Sequence, residues 1–253
     1  NQVWLLLVPA LIYAFLFFGQ TWPKAKVEEA ATLSGNIKAM LSPLFIFMVV
    51  CMALTAITEF GPNQWVGLIL SNSGAHPMLI LALTSGLMAV ARFFGGDMVK
   101  KFDQTGVLLG SAVLALVGLY LFSSQTGAMA YVAAIFFALG IAYFWPNMLG
   151  FIADKIPKSG ALGLSILGGV GMFSSSIFQP IIGTWIDADQ EMAAAQGLTG
   201  NELNLVAGQA TIGTMTVFPI ILIVLFTILY FWVRKMKAST SAQAHSEAES
   251  TAM

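Results

Sequence analysis

Glu59 offers this chain's strongest chemistry, because it ends an apolar run that begins at Leu44. Desolvation disfavours the charged form of such a carboxyl, so Glu59 is expected to take up and release a proton, and an ionisable group in hydrocarbon marks a functional site. Phe60, Gly61, Pro62, Asn63, Gln64 and Trp65 follow, and Val66 to Leu70 is apolar again. Proline lacks the N–H and clashes with the preceding turn, so Gly61 and Pro62 predict a helix break. If the helix resumes, Glu59 lies at an unwound point near the outer third of a bilayer, as in broken-helix transporters. If the helix ends at Phe60, Glu59 is a wet loop acid. The amides of Asn63 and Gln64 beside the Trp65 indole suit a polyhydroxy solute, by hydrogen bonds to hydroxyls and stacking on the ring. They suit an interfacial turn equally well.

A second polar and aromatic knot is Tyr143, Phe144, Trp145, Pro146 and Asn147, and Gln179 stands beside Pro180. Pro146 removes a backbone hydrogen bond, and an amide in hydrocarbon needs a partner, so Asn147 and Gln179 either join helices or line a cavity. Tyr143, Trp145, Asn147 and Gln179 join Asn63, Gln64 and Trp65 as candidate solute contacts. A third group is charged: Arg92, Asp97, Lys100 and Lys101, with Asp154, Lys155 and Lys158 further on. Asp97 at a helix end opposes the macrodipole unless a cation compensates, and Arg92, Lys100 or Lys101 can do so. Arg92, Asp97, Lys100, Lys101 and Asp154 are therefore expected to form a cytoplasmic gate. The alternative is the ordinary surplus of lysine on the cytoplasmic side.

Seven hydrophobic runs must position these groups, near 1–19, 41–60, 77–97, 105–123, 129–152, 161–186 and 207–233, each long enough to cross about 30 Å of hydrocarbon. Their connections alternate in charge. Lys24, Lys26 and Lys38 fall in the first, Arg92, Lys100 and Lys101 flank the third, Lys155 and Lys158 occupy the fifth, and Arg234, Lys235 and Lys237 follow the last run. The connections between carry no Lys or Arg. Cationic loops stay in the cytoplasm, so the amino end is expected outside and the carboxyl end inside. Trp4, Tyr230 and Trp232 sit near run ends, at headgroup level. The glycines of the sixth run (Gly160, Gly163, Gly168, Gly169, Gly171) suit close helix packing in lipid.

The chain is 58% hydrophobic and 9% charged, far below the roughly 25% charge of soluble domains. A net charge of −1 gives no footprint for nucleic acid, and the lone Cys51 excludes an internal disulfide or a multi-cysteine metal site. No metal or cofactor is expected. Neither a His-Glu-x-x-His nor a Gly-x-Ser-x-Gly pattern occurs, and the two histidines, His76 and His245, sit in a loop and the tail, so an enzyme is not expected. A retinal protein needs a lysine in its last span, and 207–233 has none. A complete seven-helix receptor with an outside amino terminus remains the rival reading. A channel would need a pore-lining ring, which nothing here suggests.

The stretch from Arg92 to Lys101, with Gly96, Asp97 and the Lys100–Lys101 pair, resembles the loop between the second and third helices of each half of a major facilitator superfamily transporter. Trp145, Pro146, Asp154, Pro157, Gly160, Gly168, Gly169, Pro180 and Gly183 resemble that family's tenth and eleventh helices. The segment from Thr58 to Trp65 resembles the seventh helix of bacterial permeases in the group, some of which carry sugars. This resemblance covers nearly the whole chain. It implies an all-α membrane protein of seven transmembrane helices, the last six forming one bundle of two inverted three-helix repeats, 41–123 and 129–233. Residues 1–19 would be the last helix of a missing amino-terminal bundle, 20–40 a cytoplasmic linker, 41–233 the carboxyl-terminal bundle and 234–253 a disordered cytoplasmic tail. The implied function is alternating-access transport of a small polar, sugar-like solute with a proton as coupling ion. The implied setting is the bacterial inner membrane, with the missing half of the transporter and the lipid bilayer as partners.

Overall fold

The computed structural model describes residues 7–21, 32–70 and 74–251, with side chains over 7–21, 32–65 and 74–236. No strand occurs among them. The helices are α1 (Leu7–Phe17), α2 (Leu33–Met40), α3 (Pro43–Leu70), α4 (Pro77–Phe93), α5 (Gly95–Ser124), α6 (Met129–Ile141), α7 (Phe144–Lys155), α8 (Gly160–Ala195), α9 (Gly200–Met215) and α10 (Val217–Thr251), with a 3-10 turn at Pro157–Ser159. Five runs are long and apolar enough to cross a membrane: Pro43–Trp65, Gly95–Ser124, Met129–Lys155, Pro157–Ala195 and Gly200–Met236. Leu7–Phe17 and Pro77–Phe93 are apolar but shorter. Such a set is compatible with a multi-pass, all-α membrane protein. Helices answer that setting because each satisfies its backbone polar groups internally.

The run expected at 77–97 divides between α4 and the start of α5, with a turn at Phe94. Side-chain neighbours show where the chain reverses. Arg92 reaches Ala142, a Cβ on Gly95 would meet Tyr143, and Asn147 bonds to Gln104. Beyond that point Gly118 lies against Phe137. The chain thus runs alongside α7 up to the 103 region and returns antiparallel to α6. Within α5 the break falls at Asp103, whose φ of 61° and ψ of 161° are not helical. Glycine adopts that region freely and other residues rarely do.

α5 and α6 pack backbone to backbone: a Cβ on Gly118 would sit 2.5 Å from the Phe137 nitrogen. Phe122, Phe137, Phe144, Phe226, Met48 and Leu119 fill the largest fully buried positions around this contact. α3 packs chiefly on α8, and also on α9 and α10. α8 leaves Met172, Phe173, Ile177 and Ile181 exposed in one stripe. α1 buries none of its residues.

Of the connection expected at 20–40, the described residues 32–40 form a capped helix rather than plain linker. Thr32 caps α2 through a bond from the Gly35 nitrogen, and α2 rests on the Pro157–Ser159 turn. Lys24, Lys26, Glu28 and Glu29, like Trp4, lie outside the described residues. The tail expected to be disordered from 234 onward instead continues α10 to Thr251. Its alanines and glutamates are good helix formers, so extending an existing helix needs no new nucleus.

Candidate functional site

The expected break after Glu59 does not occur. Pro62 sits inside an uninterrupted α3, buried beside Gly61. Proline is tolerated within a helix when neighbouring helices hold it, and here Ile182 of α8 closes on Gly61, leaving 3.1 Å for a Cβ. Glu59 is therefore neither unwound nor a loop acid. It is helical, 5% exposed, and about 24 Å along α3 from Pro43 at 1.5 Å per residue.

Its partner is Arg92. The guanidinium Nη2 stands 3.7 Å from Glu59 Oε1, and the side chains are 41% and 6% exposed respectively. That separation makes an ion pair but exceeds a hydrogen bond. Glu59 Oε2 is buried and has no hydrogen-bond partner. The one good bond Arg92 makes here is from Nε to the Ala142 carbonyl, at 2.9 Å. That carbonyl is free because its helical partner would be the nitrogen of Pro146, four residues on, which carries no hydrogen. The Tyr143 hydroxyl donates to the Ala91 carbonyl at 2.7 Å, tying the α6–α7 junction to α4 at the same level.

The polar residues of the two knots, with Gln179, are divided among neighbouring positions. Trp65 Nε1 donates to Gln179 Oε1 at 2.9 Å, and Gln179 Nε2 donates to the Phe60 carbonyl at 3.0 Å. Gln179 thus joins α8 to α3. Phe60 meets Trp145 edge to face, with centroids 5.9 Å apart. The Trp145 ring lies over Gly171, where a Cβ would be 2.8 Å from it, and its buried Nε1 has no hydrogen-bond partner. Asn147 is buried and donates to the Gln104 carbonyl at 2.6 Å, so it joins α7 to α5. Asn63 is half-buried and Gln64 exposed on the far turn of α3.

The five residues expected at one gate are not all together. Lys100 pairs with Asp97 at 3.3 Å, both about four-fifths exposed. Asp154 accepts from Gln104 Nε2 at 2.8 Å, and Lys101 lies over the Phe102 ring. Arg92 stands apart from them, paired with Glu59 instead. The reason is that the chain bends at Phe94, carries on as a helix through Gly95 and Gly96 and reverses at Asp103. Gln104, which links Asn147 to Asp154, carried no signal in the sequence. The Arg92 bond to Ala142 did carry one, since Pro146 leaves that carbonyl in need of a donor.

Between Arg92 and Gln104 lies a cavity of about 330 Å³, also lined by Tyr143, Pro146 and Asn147. The layer therefore holds a buried carboxylate, a half-open guanidinium, an orphaned indole N–H and a cavity of ligand size. Among the described residues no group of three metal-ligating side chains occurs. Comparison with known protein families, curated proteins and solved structures finds no match to this chain.

Proposed function

We propose that this chain is part of a secondary transporter of the major facilitator type, moving a small polar solute by alternating access with a proton as coupling ion. The observation that carries the reading is Glu59: a carboxyl 5% exposed, deep in an apolar helix, with one oxygen unsatisfied and an arginine held 3.7 Å away. A carboxylate so placed costs free energy and adds little packing, so it is retained for what it does. The motif resemblance supports the same reading, as do the alternation of lysine-bearing connections and the set of apolar helices. On this account there are seven spans, the last six arranged as two inverted repeats, with the carboxyl end in the cytoplasm of a bacterial cell. The bare stripe of α8, Met172, Phe173, Ile177 and Ile181, is then available to the first bundle of the transporter. Glu59 carries the proton, and the solute enters the layer of Trp65, Tyr143, Trp145, Asn147 and Gln179.

The test is uptake by the full-length protein in sealed vesicles, with an imposed pH gradient and without one. Accumulation of a polar organic solute that needs the gradient is expected. Failure of every solute in a broad panel to cross, in a protein that is folded and inserted, would overturn the reading.

A further inference from the structure

We infer that the solute is an anion, a polyhydroxy monocarboxylate such as a sugar acid, whose carboxylate binds Arg92 while Glu59 is protonated. This rests on the proton role proposed above for Glu59, and it names the substrate class of that site.

The argument is one of charge balance in a medium of low dielectric. In the empty site Arg92 and Glu59 neutralise each other. A proton on Glu59 removes the negative member and leaves the partly exposed guanidinium without its counter-charge. Among the described residues, the charged and titratable groups of this layer are Arg92 on α4, Tyr143 before α7, and Glu59 and Cys51 on α3. α8 contributes Gln179, which is uncharged. Asp97, Asp103 and Asp154 belong to the lysine-bearing end, and Asp187 and Asp189 lie far along α8. Among the described residues Arg92 has no carboxylate other than Glu59 within ion-pair distance. A neutral sugar cannot replace it. An anionic solute can, and the site then stays neutral in both states: arginine with glutamate when empty, arginine with solute carboxylate and protonated glutamate when loaded. The proton comes from water on the side to which the cavity is open.

Geometry allows the exchange. At 3.7 Å the pair forms no hydrogen bond, so the terminal nitrogens of Arg92 are not locked onto Glu59 and a replacing carboxylate need only supply the counter-charge. Nε is committed to Ala142, which holds the guanidinium in place and leaves its terminal nitrogens for a ligand. Arg92 lines the 330 Å³ cavity, whereas its partner Glu59 does not. A planar guanidinium matches a carboxylate with two parallel hydrogen bonds. Tyr143 and Asn147 line the same cavity; the Tyr143 hydroxyl and the Asn147 Nδ2 donate to Ala91 and Gln104, which leaves their oxygens as acceptors for the solute's hydroxyls.

The experiment is binding of gluconate, galacturonate, glucose and galactose to the full-length protein in lipid nanodiscs, read by tryptophan fluorescence, with proton uptake followed in weak buffer. The acids should bind with uptake of about one proton each, and their affinity should weaken by up to about tenfold per pH unit as pH rises, because the loaded state holds the extra proton. Glu59→Gln should bind the acids with no proton uptake. Arg92→Gln should lose acid affinity by at least about thirtyfold, the lower end of the cost of losing a desolvated charge partner. Arg92→Lys keeps the charge and should recover part of it, which separates this role from a folding defect. Binding of glucose or galactose at least as tight as the acids, and equal in Arg92→Gln, would overturn the inference and leave the transporter reading in place. Acid binding without proton uptake would also overturn it. If none of the four compounds binds, the inference fails, and the uptake panel above decides whether the transporter reading fails with it.

Discussion

Two charged regions of this molecule set acid against base to opposite ends. At the lysine-bearing end, Lys100 and Asp97 pair at 3.3 Å in the open, and Asp154 takes a 2.8 Å bond from Gln104. Those groups are solvated or satisfied. In the middle layer Glu59 and Arg92 are further apart, one is buried, and a carboxylate oxygen has no partner at all. Proximity and tidy geometry are thus greatest where the charges matter least. An exposed pair is worth little because water and salt screen it. A buried, imperfect pair is costly to maintain, and that cost is the mark of use.

Breaking the middle pair should have the largest effect on stability. Arg92→Ala is expected to lower it by about 2 kcal/mol, less than the 3–5 kcal/mol of a fully buried pair because the guanidinium is 41% exposed. Thermal unfolding in detergent checks this. The double variant Glu59→Gln with Arg92→Gln should lose less than the two single changes summed, since neither then strands a charge.

The support beneath Trp145 gives a smaller effect. Gly171→Ala places a Cβ 2.8 Å from the indole, and displacing that ring should cost about 1–2 kcal/mol. Gly169→Ala meets nothing within 4 Å and should change stability by less than about 0.5 kcal/mol. Melting curves of the two variants side by side would separate a packing glycine from a free one, and equal shifts would remove Trp145 from the supported layer.

Lys100→Ala should have the smallest effect, within about 0.5 kcal/mol, with no change in solute binding. A large loss of binding in Lys100→Ala would erase the contrast between the regions and return the function to the lysine-bearing end.

Helices and their apolar faces could be read from the sequence because hydrocarbon leaves the backbone few alternatives. The two polar and aromatic knots were also legible, and Phe60 meets Trp145 and Trp65 meets Gln179 in the folded chain. Two positions misled. Gly61 and Pro62 read as a break because local propensity favours one, but burial against Ile182 keeps α3 continuous. The run at 77–97 read as one helix ending at Asp97, which placed Arg92 and Asp97 at the same inside face. The path in fact bends at Phe94 and turns at Asp103, an aspartate in a backbone region where glycine is expected. Propensity could not locate a turn made by a residue that disfavours it. Depth was lost with that turn, and with it the pairing of Arg92 to Glu59. Gln104 was invisible for another reason: its bonds to Asn147 and Asp154 depend on the antiparallel return of α5, which no local pattern encodes.

The most direct test is Glu59→Gln in the full-length protein, with gradient-driven accumulation and solute exchange measured in the same vesicles. Gln keeps the shape and hydrogen-bonding capacity of the side chain but cannot titrate. Accumulation driven by the pH gradient should vanish while exchange between equal pools survives in part. Unchanged accumulation would contradict the account, because the buried carboxyl would then carry no proton.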